Sequence, residues 1–241
     1  MKKQQLRVCI ILPTWDEARV VGDVVTSALK ALEASNYQGD VVVVNDGSKD
    51  NSGQVARQNG ATVIDHIMNM GQGGAVATGI SYADQNNFDI AVTMDADGQH
   101  DIKDVFRGLD ELVKRGDDLL IGSRLIDNQG MSRLKLIGNK GLSFITYVLF
   151  GINSTDSQSG LRIFSRRAIK ELRWKAAGYE FCSEMLWRAK QIHLKISEYP
   201  IKAIYTDYST SSGSRTAGQN NWNGVNIVKS LLKRRIMELL G

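Results

Sequence analysis

Short apolar runs alternate with amphipathic stretches through the first half of the chain. The apolar runs are four or five residues long, or shorter, and rich in β-branched side chains, which is typical of buried strands. They lie at residues 8–12, 41–44, 61–64, 90–94 and 119–121. Helical patterns lie between them, at about residues 18–34, 52–58, 74–86 and 102–114. The alternation predicts an α/β fold whose mostly parallel sheet is flanked by helices.

The pattern changes after Arg124, where amphipathic and polar segments replace the regular alternation. Residues 132–150 predict one or two amphipathic helices, and a polar turn at 154–160 leads into a short strand at 161–164. Further predicted elements are helices near 166–173 and 181–191, a strand ending at Pro200, a Ser/Gly-rich loop at 209–218 and a basic amphipathic helix at 225–240. With 241 residues and no internal repeat, the chain is expected to form one domain.

Composition indicates a soluble, reduced protein. Charged residues make up 23% and hydrophobic residues 42%, which is ordinary for a globular domain. Cys9 and Cys182 show no CxxC spacing, so we expect reduced, buried thiols and a cytoplasmic location. The start of the chain has no signal-peptide apolar region, and no run approaches the ~20 apolar residues that span a bilayer.

Charge excludes nucleic acid as the obvious partner and favours a membrane surface. The net charge of +4 is modest, and base-contact motifs are missing. Basic residues cluster among apolar ones, which suits peripheral contact with an anionic membrane. The clusters are Arg133, Lys135 and Lys140; Arg166, Arg167 and Lys170; and Lys229, Lys233, Arg234 and Arg235. Solvated helix faces would explain any one cluster equally well.

Two carboxylates one residue apart carry the clearest chemical signal. Asp95 and Asp97 follow the apolar run at 90–94, and alternate side chains at a strand end project to the same side. Paired hard oxygens at the mouth of a sheet suit Mg²⁺ or Mn²⁺, and such ions also hold substrate phosphates. His100 follows, where a structural histidine is the more frequent explanation than a metal ligand. The sequence therefore predicts an enzyme that handles a nucleotide diphosphate.

Polar motifs end three other strands of the predicted sheet. Pro13 is expected to end the first strand so that loop backbone can face a planar ligand, although an ordinary turn with Asp16 as helix N-cap explains it too. Asp46, after the second strand, can accept N–H groups from uracil or guanine. Arg124, after the fifth strand, can neutralise phosphate. The glycines at 71–74 serve either phosphate contact or close backbone packing.

These motifs in this order resemble glycosyltransferase family 2 on the GT-A fold. The matching strings are LPTWDE, VNDGSKDNS, NMGQGGAVATGI, MDADGQH and GSR. In the second half, Arg133 with Gly138 and Asn139, and then the string DSQSGLR from Asp156 to Arg162, resemble the branch that transfers sugars to polyprenyl phosphates, such as the dolichol-phosphate mannosyltransferases. Gln72 departs from the pattern, since many relatives carry a basic residue there.

The resemblance implies a role for each matching residue. Pro13, Trp15, Glu17, Asp46 and Asp95 would bind the nucleotide; Asp95, Asp97 and Gln99 would hold Mg²⁺ or Mn²⁺; Asp97, Arg124 and Asp156 would serve catalysis; and Arg133, Ser159 and Arg162 would bind the acceptor. Residues 1–124 would then form the nucleotide-sugar-binding half, 125–218 the acceptor half and 219–241 an amphipathic tail helix. Residues 132–150 match the family's interfacial helices.

The expected reaction is an inverting, metal-dependent transfer from a UDP- or GDP-linked sugar to a polyprenyl phosphate. It would take place at the cytoplasmic face of the membrane, with peripheral attachment or a membrane partner protein. An anionic acceptor needs no strong general base, whereas a sugar hydroxyl would need a carboxylate base, with Asp156 or Glu184 as candidates. The alternatives are a soluble family 2 enzyme that extends a glycan, a non-catalytic subunit that binds sugar nucleotides and, on a related sheet, a nucleotidyltransferase.

Overall fold

The computed structural model describes residues 5–127, 140–141, 143–148, 151–202 and 204. The predicted loop at 209–218, the predicted helix at 225–240 and most of the predicted helical region at 132–150 lie outside these residues. The described strands are β1 (Arg7–Thr14), β2 (Gln38–Asn45), β3 (Thr62–Asp65), β4 (Ile90–Thr93), β5 (Leu119–Ser123), β6 (Arg162–Ser165) and β7 (Ile196–Pro200). The helices are α1 (Val21–Glu33), α2 (Ser52–Gln58), α3 (Gln72–Gln85), α4 (Ile102–Arg115), α5 (Arg166–Glu171) and α6 (Phe181–Gln191).

The strands form one mixed, mostly parallel sheet of seven strands. Its order is β3-β2-β1-β4-β6-β5-β7, and β6 pairs antiparallel with both β4 and β5 while every other pair is parallel. The predicted α/β class with a mostly parallel sheet flanked by helices is confirmed. Because β6 is inserted between β4 and β5, the loop that precedes it arrives beside the carboxyl ends of both strands.

Helices cover both faces of the sheet, so the strands are apolar on both sides. In β1, Cys9 and Ile11 join the cluster packed under α3, α5 and α6, whereas Val8, Ile10 and Leu12 join the cluster under α1 and α4. This alternation is the two-residue period of a strand. It explains why the pattern in the sequence was a continuous apolar run.

The strand ends set the geometry of the site. β1 continues past Pro13 to Thr14, paired with β2, although its pairing with β4 stops at Ile11. Pro13 therefore does not end the strand as expected; it lies beyond the last β4 pair, where its missing N–H removes no bond of that ladder. At β4 the loop is short, because Asp101 caps α4 by accepting a hydrogen bond from the Lys103 N–H (2.9 Å).

In the part of the chain that the structure describes, no helix has both the length and the apolar character that crossing a bilayer requires. The helical residues 140–141 and 143–148 carry three large exposed side chains: Phe144, Tyr147 and Val148 are 65%, 53% and 63% exposed. Their partners on the inward face are small and polar, because Ser143 and Thr146 are buried.

We predict that Gly79→Ala destabilises the protein. An alanine normally stabilises a helix interior by about 1 kcal/mol relative to glycine, but an added Cβ at position 79 would overlap the Ile11 side chain on β1. The free energy of unfolding should fall by about 1–3 kcal/mol in denaturant titrations. The control is Gly74→Ala in the same helix, whose Cβ would lie 3.1 Å from the Met70 Cβ. Equal stability of the two variants would contradict the close approach of α3 to β1.

Candidate active site

The two central carboxylates lie in the loop between β4 and α4. Asp97 is 5% exposed, and Asp95 is partly exposed. Gln99 holds Asp97 twice, because its N–H donates to Oδ1 (3.0 Å) and its Nε2 donates to Oδ2 (2.7 Å). Gly98 has a φ of 76°, a left-handed conformation that glycine adopts without strain and that allows this tight turn.

Asp95 is held from three directions. Gln72, the first residue of α3, donates from Nε2 to Oδ1 (2.8 Å), and the His100 Nε2 lies 3.5 Å from Oδ2. Gly160 packs on the same carboxylate so closely that any Cβ would overlap it. His100 thus supports Asp95 from the side, in line with the structural explanation that the sequence favoured.

Burial and mutual repulsion drive the two carboxylates apart in pKa. Burial raises the pKa of Asp97, and the negative charge of Asp95 raises it further, although His100 and Arg124 oppose the shift. Burial also acts to raise the pKa of Asp95, but the hydrogen bond and charge of His100, with the charges of Arg124 and Arg162, outweigh it, so the pKa of Asp95 is lowered. Such a pair is destabilised by its own charge, and a bound cation would relieve it.

The donor set fits a divalent cation that shares its coordination with substrate phosphates. Asp95, Asp97 and the amide oxygen of Gln99 supply hard oxygen ligands. Among the described residues, no group of three or more His, Cys, Asp or Glu side chains forms a complete metal cage. Mg²⁺ and Mn²⁺ sites built from one or two carboxylates and a diphosphate do not need one. The roles of these three residues stay predictions.

The predicted nucleotide-binding loop after β1 is held by the loop after β2. Asp16 is not the N-cap of α1, which is Val20; it has a φ of 56°, and its Oδ1 accepts the Lys49 N–H (2.6 Å). The Glu17 N–H in turn donates to the Ser52 hydroxyl (2.8 Å). Trp15, at the tip, is 41% exposed. The arrangement leaves an aromatic side chain at the mouth of the site on a loop that is fixed at both ends.

Asp46 serves as an anchor for the loop between β3 and α3. Its Oδ1 accepts the Met70 N–H (2.8 Å) and lies 2.7 Å from the His66 Nδ1, and its Oδ2 accepts the Gly71 N–H (2.9 Å). His66 is fixed at its other nitrogen, 3.0 Å from the Thr78 hydroxyl. The predicted reading of a nucleobase by Asp46 would have to use the carboxylate from within this network.

The glycines that begin α3 allow close backbone packing. An added Cβ at Gly71 or Gly73 would meet the carbonyl groups of Ala176 and Ala177, and the Gly73 N–H donates to the Ala177 carbonyl (2.7 Å). This N–H is therefore satisfied within the protein. Of the two explanations open for these glycines, the structure favours packing.

The strongest ion pair of the site joins β5 to the loop before β6. Asp156 is fully buried and binds the Arg124 guanidinium in bidentate fashion, with Nε at 2.7 Å from Oδ2 and Nη2 at 2.9 Å from Oδ1. The Arg124 N–H also donates to Oδ2 (3.2 Å). Because its carboxylate is fully engaged, Asp156 orients Arg124, and a direct chemical role stays a prediction.

The predicted acceptor residues Ser159 and Arg162 are buried beneath this loop. The Ser159 hydroxyl accepts the Leu161 N–H (3.3 Å). Arg162 is 1% exposed; its Nη2 donates to the Ser157 carbonyl (2.8 Å), and its guanidinium lies 5.4 Å from the centre of the Phe181 ring. Both residues shape the loop from below. Arg133, the third predicted acceptor residue, lies outside the described residues.

Four residues of the site carried no recognisable signal in the sequence. His66, Gln72, Gly160 and Glu198 act only through partners that lie 20 or more positions away: Asp46 for His66, Asp95 for Gln72 and Gly160, and Thr155 for Glu198. Gln72 was noted only as a departure from a family pattern. A single sequence without a sheet order does not place such residues beside their partners.

A family model described as glycosyl transferase family 2 matches residues 9–173. A UDP-N-acetylglucosamine–dolichyl-phosphate N-acetylglucosaminyltransferase of Methanococcus voltae is 38% identical over 86% of this chain and 89% of its own length. An undecaprenyl-phosphate mannosyltransferase of Micrococcus luteus is 30% identical over 87% of this chain and 88% of its own length.

Solved structures share the GT-A fold. A mannosyl-3-phosphoglycerate synthase from Rubrobacter xylanophilus superposes with a TM-score of 0.71 and 18% identity over 98% of this chain and 74% of its own. A glucosyl-3-phosphoglycerate synthase from Mycobacterium tuberculosis, in complex with Mn²⁺, UDP-glucose and phosphoglyceric acid, has a TM-score of 0.66 and 16% identity over 94% of this chain and 79% of its own. At this level of identity the likeness concerns the fold.

We predict that Asp97→Asn stabilises the metal-free protein near neutral pH. The raised pKa of Asp97 means that folding favours its neutral form, so the wild-type protein loses stability as pH rises through that pKa. Thermal unfolding in EDTA should show a higher Tm for the variant at neutral pH and a shrinking difference at acidic pH. The control Asp23→Asn, at an exposed position in the first turn of α1, should gain nothing. A lower Tm for Asp97→Asn at neutral pH would refute the repulsion.

We predict that Gly160→Ala abolishes the binding of Mn²⁺. Its new Cβ would overlap the Asp95 carboxylate and displace it from Asp97. Titration followed by electron paramagnetic resonance should show at least a roughly 10-fold weaker site, since second-shell changes at metal sites typically weaken affinity about 10–100-fold. Gly74→Ala, whose Cβ meets Met70 instead, should bind as the wild type does. Unchanged binding by Gly160→Ala would show that Asp95 tolerates the shift.

Proposed function

Because the chain belongs to glycosyl transferase family 2 and is a glycosyltransferase, we propose that it moves a sugar from a nucleotide sugar to a polyprenyl phosphate. The transfer is inverting and depends on Mg²⁺ or Mn²⁺. The names of the Methanococcus and Micrococcus relatives support the acceptor class, since both specify a lipid phosphate.

The observation that carries the proposal is the engagement of both candidate bases. Asp156 is bound to Arg124 by two side-chain hydrogen bonds, and Glu184, which is 2% exposed, accepts the N–H groups of Lys175 (3.1 Å) and Ala176 (2.7 Å). Neither carboxylate is poised to take a proton from a sugar hydroxyl. The site offers an oriented guanidinium in the place where a hydroxyl acceptor would need a base.

An acceptor that is already an anion suits this arrangement. The second pKa of a phosphate monoester is about 6, so a polyprenyl phosphate is largely a dianion near neutral pH and needs no proton removed. Arg124 is pre-oriented by Asp156, and a guanidinium pairs with phosphate through two parallel hydrogen bonds. The chain therefore contributes positioning and charge stabilisation to the nucleophile.

The donor side rests on the carboxylate pair and the loops after β1 and β2. Asp95 and Asp97 would hold the cation, with Gln99 as a third ligand, and Trp15 and Asp46 would hold the nucleoside. A bound cation neutralises the departing diphosphate. The neutral amides of Gln72 and Gln99 hold the carboxylates without cancelling their charge, which leaves the pair able to attract a cation.

Helical residues 140–148 support peripheral contact with the membrane. Their exposed side is apolar at Phe144, Tyr147 and Val148, whereas the inward Thr146 hydroxyl bonds to the Ser183 hydroxyl (3.0 Å). A water-soluble helix has the opposite arrangement. Residues of this kind at a bilayer surface would bring Arg124 to lipid headgroups at the cytoplasmic face. A membrane partner protein is a further candidate.

One of the expected basic clusters contributes little to this surface. Arg166 lies 3.0 Å from an Asp84 oxygen, and Arg167 lies 3.3 Å from Asp118. Their charges are balanced within the protein, so the solvated-face explanation holds for them. Most of the other two clusters lies outside the described residues.

An acceptor screen tests the proposal. Purified protein is supplied with Mg²⁺ or Mn²⁺ and a panel of UDP- and GDP-sugars, with dolichyl or undecaprenyl phosphate in detergent or free oligosaccharide as acceptor. We expect transfer to a polyprenyl phosphate with inversion at the anomeric carbon, and a loss of about 10³-fold or more in Asp97→Ala.

Efficient transfer to oligosaccharide alone would identify an enzyme that extends a glycan. Binding of sugar nucleotides without transfer or hydrolysis would identify a non-catalytic subunit. Full activity of Asp97→Ala would remove that carboxylate from the reaction.

A further inference from the structure

We propose that Glu198, on β7, is a positioning residue that sets the orientation of Arg124 toward the acceptor phosphate. It touches neither carboxylate of the predicted metal site in any contact that the structure shows, and it acts through the loop that carries Asp156. The proposal rests on the proposed function, because its measure is the response to a lipid phosphate.

Glu198 spends its carboxylate on a single short segment of chain. Its Oε1 accepts the Ser154 hydroxyl (2.7 Å) and the Thr155 N–H (2.9 Å), and its Oε2 accepts the Thr155 hydroxyl (2.6 Å) and, at 3.1 Å, the same N–H. Hydrogen bonds to an ionised acceptor are about twice as strong as neutral ones. The carboxylate thus clamps residues 154–155 from the side of the sheet.

The clamp reaches Arg124 by two routes. Thr155 is followed directly by Asp156, whose carboxylate holds the Arg124 guanidinium at 2.7 and 2.9 Å. The Thr155 hydroxyl also lies 2.6 Å from the Ser123 hydroxyl, next to Arg124 on β5. A shift of Thr155 would therefore move both the support of the guanidinium and the strand end that carries it.

The sheet register explains why Glu198 reaches this loop. β7 pairs parallel with β5, with Glu198 opposite Ile121 and Tyr199 opposite Gly122, so it lies at the same end of the sheet as Arg124. The neighbouring side chains of β7 do other tasks: Ser197 bonds to Asp117, and the Tyr199 hydroxyl donates to the Asp104 carbonyl (3.1 Å). Of these three residues, only Glu198 points its polar group at the loop before β6.

The test compares acceptor and donor constants in Glu198→Ala. With dolichyl or undecaprenyl phosphate as acceptor, we expect the acceptor KM to rise about 10-fold, the effect of losing one charge-assisted hydrogen bond at Arg124. The Kd of UDP or GDP with Mn²⁺ should stay within about twofold of the wild-type value, because neither Asp95 nor Asp97 depends on Glu198. Glu198→Gln keeps the size and one acceptor oxygen, and should restore about half of the loss on a logarithmic scale.

A double-mutant cycle tests the route. Thr155→Val removes the hydroxyl that joins Glu198 to Ser123, so Thr155→Val and Glu198→Ala together should change the acceptor KM by less than the product of the two single effects. Glu111→Ala, which removes a surface glutamate paired with Arg115, is the matched control and should leave both constants unchanged.

The outcomes separate this inference from the proposed function. A wild-type protein that transfers no sugar to any polyprenyl phosphate overturns the proposed function. A wild-type protein that does so, with an unchanged acceptor KM in Glu198→Ala, overturns the role of Glu198. An equal loss of nucleotide binding and acceptor binding would show that Glu198 merely stabilises the fold, and it also overturns the inference. If Glu198→Ala does not fold, the same comparison is made with Glu198→Gln.

Discussion

The repulsion between Asp95 and Asp97 is the constraint around which the site is built. Two carboxylates two positions apart in one buried loop disfavour each other's charge, as the raised pKa of Asp97 shows. The chain keeps both in place with two glutamine amides, one histidine and a glycine that leaves room for Asp95. Each support comes from a different part of the sequence, so the pair depends on the whole sheet.

Positive charge enters this site in a controlled way. Arg124 and Arg162 both lower the pKa of Asp95, but neither bonds to it in the contacts that the structure shows. Arg124 is bound by Asp156, and Arg162 is buried against Ser157 and Phe181. The guanidinium groups thus influence the carboxylates through space, and the oxygens remain available to a cation.

Much of the fold could be predicted from the pattern of apolar residues. The strands in the first 124 residues were predicted because buried parallel strands are short, continuous and β-branched, and both faces of this sheet are covered. The site at the strand ends followed from the same topology. The local role of a side chain was harder to predict: Asp16 was expected to cap α1, and instead it binds the loop after β2. Pro13 was expected to end β1, which continues to Thr14. Both errors arise because a strand end is defined by its neighbours in the sheet.

The insertion of β6 between β4 and β5 has a consequence for the order in which the protein can be built during synthesis. The two strands that end in Asp95 and Arg124 have no direct pairing with each other, and both await residues 162–165 as their common partner. A ribosome that has released only the first 124 residues has therefore delivered every predicted nucleotide ligand without the strand that aligns them. Assembly of the catalytic centre is then a late event, and a truncated nascent chain would expose two unpaired strand edges to chaperones or to other chains.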